Sequence, residues 1–108
     1  MGWEMQYLDV STDDIDDGTR TRVRLSGEID AIAAARAAHT ADDLLARGRP
    51  VLVDLGGVTF MDSSGVSFLI QLRRSCERAG LDWQLTGVPA QVERVLSILG
   101  VDDLLRTP

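Results

Sequence analysis

The sequence predicts an α/β domain with a mixed sheet, in the order β-β-α-β-α-β-α, and three observations carry that reading. Two short alternating segments near the start match half-buried strands. Val51, Leu52, Val53 and Leu55 form a short apolar, β-branched run after Pro50, as in a strand buried on both faces of a parallel sheet. Apolar residues at helical spacing then alternate with such runs, each stretch ending at a glycine.

The first strand is expected within Met1 to Val10, where Trp3, Met5 and Tyr7 alternate with Glu4 and Gln6. The second is expected over Thr19 to Leu25, where Val23 and Leu25 alternate with Arg20, Arg22 and Arg24. Between them the acidic STDDIDDG stretch suits a hairpin turn. Read as a calcium loop counted from Gly18, it puts Ile15 at a ligand position and Arg24 where the closing glutamate belongs, so a solvated turn is the better assignment.

Ser26 to Asp30 reads as a turn into a helix, with Asp30 as N-cap and Gly48 as stop. Its expected inner face is Ala34, Ala37, Ala38, Ala41, Leu44 and Leu45, small enough to lie close against a sheet. After the Val51 run, Gly56 and Gly57 are expected to end the strand. Asp62, Ser63 and Ser64 are all good N-cap types and open a helix that runs to Ala79 and stops at Gly80. This helix turns Gly65, Val66, Leu69, Ile70, Leu72, Cys76 and Ala79 toward the core. Ser67, Gln71, Arg74 and Arg78 fall on its solvated side, in a row that starts beside Ser63. A strand over Leu81 to Leu85 follows, then a helix from Pro89 through Val92, Val95, Leu96 and Leu99 to Gly100. Val101 to Leu105 can close the sheet as a short last strand. The ends of the crossover strands should gather Asp30 and Ser63 on the rim where ligands and partners of open α/β sheets dock.

Composition narrows the function. The chain is 108 residues with 44 % hydrophobic residues, the size of one domain with a real core, expected to span 1–108. No apolar run approaches the roughly 18 residues of a membrane span, and the N-terminus lacks a signal-peptide layout, so a cytoplasmic protein with no membrane contact is expected. A net charge of −6 argues against nucleic acid as a direct partner. All eleven basic residues are arginine, which removes Walker-type nucleotide binding and Schiff-base chemistry. The single Cys76 reads as a buried hydrophobe. His39 has no second histidine or cysteine near it in the sequence, so neither a metal site nor a serine–histidine couple is expected. No cofactor is implied.

Ser63 therefore stands out by position. The first turn of a helix has unpaired N–H groups and the positive end of the macrodipole, so it stabilises a cap, a bound anion or a phosphate on its own hydroxyl.

GEID at 27–30, VLVDLGGVTFMDSSG at 51–65 and GVPAQVERVLSILGVDDLL at 87–105 together resemble the STAS domains of anti-sigma factor antagonists. The resemblance runs from the second strand to Leu105 and is most specific at Phe60-Met61-Asp62-Ser63-Ser64-Gly65. It implies a single STAS domain that is not an enzyme. It also implies phosphorylation of Ser63 by an anti-sigma factor that is itself a serine kinase of the histidine-kinase-like ATPase type. The unphosphorylated antagonist would bind that kinase and free the sigma factor; phosphorylation would release it, and a PP2C-type phosphatase would restore it. Asp30, Phe60, Met61, Asp62, Ser64, Gly65 and Ser67 are the residues expected at the partner surface. The family's final helix has no evident counterpart in a sequence that stops at Arg106-Thr107-Pro108.

Other readings fit less well. A receiver-like phosphoacceptor at Asp54 lacks its lysine and its acidic pair, and a serine hydrolase lacks the G-x-S-x-G elbow. The alternative within the family is a STAS scaffold or regulatory subunit of a transporter or stress-signalling assembly, in some cases nucleotide-binding, without a phospho-switch.

Overall fold

The computed structural model describes residues 9–29 and 39–106. Four strands, β1 (Asp9–Ile15), β2 (Arg20–Ile29), β3 (Val51–Met61) and β4 (Trp83–Thr86), form one sheet in the order β1-β2-β3-β4. β1 and β2 are antiparallel, whereas β2–β3 and β3–β4 are parallel, which makes the sheet mixed. The helices are α1 (His39–Arg47), α2 (Ser63–Arg78), α3 (Ala90–Leu99) and α4 (Asp102–Arg106).

The hairpin is present but displaced. Most of the acidic stretch lies in β1, and the turn tightens to Asp16–Gly18, where the Gly18 N–H donates to the Ile15 carbonyl at 3.1 Å. Asp16 and Asp17 both adopt the left-handed conformation, φ 52° and 58°, which short acidic side chains tolerate. Alternating signs across the pair hold the register: Arg22 grips Asp13 through both carboxylate oxygens, at 3.1 and 2.6 Å. The expected strand over Met1–Val10 lies outside the described residues up to Leu8.

β2 and β3 run further than their glycines suggest. Ser26-Gly27-Glu28 stays in β2, and Gly56-Gly57 stays in β3. The pairing jumps from Arg24↔Asp54 to Ser26↔Gly57, so β3 carries one extra residue and bulges there. A side chain at Gly57 would put its Cβ 2.5 Å from that of Ser26, so glycine here marks close strand approach and not a strand end. A second shift between Gly27 and Glu28 lets both strands continue to Ile29 and Met61.

Val23 and Leu25 of β2 face the same way as Val51, Val53 and Leu55 of β3, and all are buried. They join Leu44 of α1, Val66, Leu69, Leu72 and Cys76 of α2, Val92 and Leu96 of α3 and Leu105 of α4 in one core. The opposite face of the sheet is mostly polar: Arg22 and Gln84 flank Leu52 in register, and Arg24 and Thr86 flank Asp54.

Of the expected apolar face of α1, Leu44 is buried and Ala41 half-buried, Leu45 is exposed, and Ala34, Ala37, Ala38 and the cap Asp30 lie outside the described residues. In α2 the inward row holds except at Ala79, which is exposed as the C-cap. β4 begins at Trp83 and not at Leu81. The segment after Gly100, expected as a strand with no final helix beyond it, is the short helix α4. Gly100 turns left-handed, Asp102 and Asp103 occupy the first helical turn and Arg106 the last, and Leu105 drops into the core. The Trp83 indole N–H donates to the Leu105 carbonyl at 2.8 Å and fastens α4 to the start of β4.

Candidate functional site at the β3–α2 junction

Four residues link the end of β3 to the first turn of α2. Phe60 is 47 % exposed at the sheet rim, in register with the exposed Glu28 of β2. Met61, its neighbour, is 4 % exposed and points into the core in register with Ile29. This follows from strand alternation. Met61 therefore supports the junction from beneath and offers no side chain to a partner, which corrects its expected place at the contact surface.

Asp62 leaves the strand in an extended conformation, φ −109° and ψ −171°, and caps α2. Its Oδ1 accepts from the Ser64 N–H at 2.9 Å and the Gly65 N–H at 3.2 Å. Its own N–H donates to the Ile29 carbonyl at 3.4 Å, and its carbonyl accepts from the Val66 N–H at 3.1 Å. Of the three N-cap types in the sequence, aspartate does the capping. Two of the first-turn donors that make such a terminus anion-seeking are thus already taken by a carboxylate.

Ser63 is the first helical residue and is exposed; its hydroxyl makes no hydrogen bond among the described residues. With Asp62 performing the cap, the hydroxyl is left for other chemistry. Ser64 is half-buried behind it, and Ser67, one turn on, is exposed with Gln71, Arg74 and Arg78 along the same helix.

Gly65 is buried, and the reason is steric. A Cβ there would lie 2.7 Å from the Ile29 carbonyl oxygen, 2.7 Å from Met61 Cγ and 2.8 Å from Ile29 Cγ2. A backbone carbonyl cannot retreat as a side chain can, so the start of α2 sits on the end of β2 only because position 65 has no side chain. Gly65, like Met61, sets the geometry and does not itself face a partner.

Phe60, Asp62, Ser63, Ser64 and Ser67 are thus brought together at one rim. Asp30 lies outside the described residues. Among the described residues no arginine reaches Asp62 and no cluster of metal-ligating side chains occurs. Cys76 is buried, and burial pushes its thiol pKa upward, which favours the unreactive protonated form. His39 is exposed. No described helix is long and apolar enough to cross a membrane.

Sequence reading missed Arg73. It lies on the inner side of α2, 9 % exposed, four residues after Leu69 and three before Cys76. That spacing alone places it on the apolar face.

Comparison with known proteins gives concordant results. Residues 11–108 match the model of the STAS domain family. Osmosensory protein A of Mycobacterium tuberculosis is 31 % identical over 75 residues, which cover 69 % of this chain and 48 % of that protein. Anti-sigma-F factor antagonist RsfA of the same species is 30 % identical over 90 residues, covering 77 % of this chain and 67 % of the relative. The chain thus spans between about half and two thirds of the length of these relatives. A crystal structure of an anti-sigma factor antagonist from Mycobacterium paratuberculosis superposes with a TM-score of 0.75 at 21 % identity, over 91 % of this chain and 82 % of that one.

Proposed function

The chain belongs to the STAS domain family, and on that footing we propose that it is an anti-sigma factor antagonist switched by phosphorylation of Ser63. In this reading the unphosphorylated protein binds an anti-sigma factor that is also a serine kinase, and so releases the sigma factor. Phosphate on Ser63 ends that complex, and a PP2C-type phosphatase restores the binding form. The domain acts in the cytoplasm, by binding and not by catalysis. The observation that carries this is Ser63 itself, exposed and without a hydrogen bond among the described residues, directly after a cap that leaves its hydroxyl unused. The relative named anti-sigma-F factor antagonist supports the assignment of partner class.

The electrostatics suit a switch at an interface. A phosphate brings about −1.5 to −2 charges and three acceptor oxygens. Asp62 already accepts the Ser64 and Gly65 N–H groups, so the dianion would share this helix end with a carboxylate. A partner packed over Phe60 and the Ser63 hydroxyl, with Ser64 and Ser67 at its edge and Asp30 as a further expected contact, would then enclose two like charges.

The test is to incubate the protein with its cognate anti-sigma kinase and ATP and map the phosphopeptides. One phosphate at Ser63, with none at Ser64, Ser67 or Ser75, is expected; modification elsewhere, or none, would overturn the reading. A second reading is a STAS scaffold or regulatory subunit of a stress-signalling assembly with no phospho-switch; the relative named osmosensory protein A bears only on the stress-sensing part of it. That reading wins if Ser63 stays unmodified by every cognate kinase while the protein still enters a stable complex.

A further inference from the structure

At the other end of α2 from Ser63, a cavity of about 320 Å³ is lined by Arg73, Glu77, Gly80, Leu81, Asp82 and Trp83. Ten helical positions at 1.5 Å each separate the two residues, about 15 Å. Arg73 is the floor. The residue is 9 % exposed, and its buried Nε has no hydrogen-bond acceptor among the described residues. Its one acidic neighbour among the described residues is Glu77, at 3.9 Å, outside hydrogen-bond reach, with a side chain 71 % exposed. Buried cations are ordinarily paired and hydrogen-bonded because desolvation otherwise costs heavily. One whose single ion-pair partner lies beyond hydrogen-bond reach, beside a cavity, has room for a further acceptor.

The rest of the wall restricts what that acceptor belongs to. The guanidinium fork matches a planar carboxylate in two parallel bonds. Glu77 and Asp82 carry negative charge into the same cavity, and α2 ends there, its negative pole marked by the Cys76 and Glu77 carbonyls that take the Leu81 and Gly80 N–H groups. A polyanion entering would meet both carboxylates. A molecule with a carboxylate at its inner end and an ammonium behind it meets a cation first and anions second. Leu81 and Trp83 give the remaining wall an apolar character, and Trp83 has already committed its N–H to Leu105.

We infer that this cavity is a binding site for a small zwitterion of the α-amino acid class with an apolar side chain, its carboxylate on Arg73 and its ammonium between Glu77 and Asp82. The site is separate from the rim that holds Ser63 and does not depend on the phospho-switch.

The test is a titration of the unphosphorylated full chain with L-leucine, followed by nuclear magnetic resonance at the Gly80 amide and the Trp83 indole N–H. Leucine should give saturable shifts at both. 4-Methylpentanoate lacks the ammonium, and 3-methylbutylamine lacks the carboxylate; each should bind at least tenfold more weakly. Inorganic phosphate should not compete. Arg73→Met, close in volume, should abolish the shifts, and Arg73→Lys, which keeps the charge but not the fork, should weaken binding at least tenfold in a chain with an unaltered melting profile. Were the Met variant to misfold, the Lys variant decides. No saturable leucine shift, equal binding by the carboxylate-only analogue, stronger binding by phosphate, or unchanged affinity in the variants would each overturn the assignment.

Discussion

The two ends of the sheet handle negative charge in opposite ways. At the hairpin end four carboxylates meet arginines: Asp13 meets Arg22, Asp14 meets Arg47 and Arg49, Asp16 meets Arg20, and Asp43 meets Arg47. The hydrogen bond from Arg22 holds the Asp13 carboxyl below its usual range and raises the Arg22 guanidinium in turn, and Arg49 does the same to Asp14. At the β3–α2 rim Asp62 is satisfied by backbone N–H groups, and among the described residues no arginine pairs with it or with Glu28 beside Phe60. Charge added at the hairpin end would find cations waiting. Charge added at Ser63 would not, so it stays available to repel a partner. The same residue type is a clamp between strands in one place and a helix cap in the other.

The largest effect that would break this comparison comes from Gly65→Ala. A Cβ against the Ile29 carbonyl forces the start of α2 off β2, and overpacking of this kind costs about 1–3 kcal/mol. At roughly 4–8 °C per kcal/mol for a domain of this size, the melting temperature should fall visibly in calorimetry. An unchanged melt would mean that the rim is not held as described.

Phosphorylation of Ser63 comes next and acts on binding. The phosphoprotein should melt within a few degrees of the free form while binding its anti-sigma factor at least about tenfold more weakly, or about 1.4 kcal/mol. Paired melts and calorimetric titrations separate the two, and a large drop in melting temperature would show that the modification unfolds the junction instead of blocking it. Ser63→Ala should leave both fold and binding in place, since the hydroxyl caps nothing.

Asp62→Ala removes the cap and should cost about 0.5–2 kcal/mol, whereas Asp62→Asn, which still caps, should cost less. Urea denaturation of the two variants distinguishes loss of the cap from loss of the charge.

The smallest effects belong to the hairpin. The folded-state pKa values of Asp13 and Asp14 lie below the usual 3.8. Their contribution to stability is therefore fully present above that value and lost as pH falls through the lowered ones. These pairs are exposed, so Asp13→Asn with Asp14→Asn should lower the melting temperature only slightly at neutral pH, less so in high salt, and flatten its decline below about pH 4. A steep loss at neutral pH would assign the hairpin a structural weight its exposure does not predict.

Much of this arrangement was legible from the residues. The parallel order followed from the Val51 run and the glycine-stopped helices, and the junction from the cluster of capping residues after Met61. What escaped notice shares one cause, a tertiary contact overriding a local signal. Gly56 and Gly57 read as a strand end because glycine is a poor strand former, but close approach to Ser26 requires it inside a bulge. Val101–Leu105 has the apolar content of a strand, yet a left-handed Gly100 and burial of Leu105 make it a helix. Met61 and Phe60 are equally apolar; only the pleat, anchored by the register with Ile29 and Glu28, decides which one is covered. Arg73 carries a charge of the kind that usually stays at the surface, and only its helical phase, four residues after Leu69 and three before Cys76, places it inward.

The hairpin has one further consequence, for colloidal behaviour. Among the described residues β1 is an outer strand, seven residues long, paired on one side to β2 and with no other strand beside it. Such a flank is a template on which a second molecule can stack into fibrils. Its sequence, DVSTDDI, sets aspartates along that flank, so two such strands laid together would press like charges against each other. The residues that zip the hairpin internally therefore also act as gatekeepers toward other copies, and acid that neutralises them lifts both restraints at once.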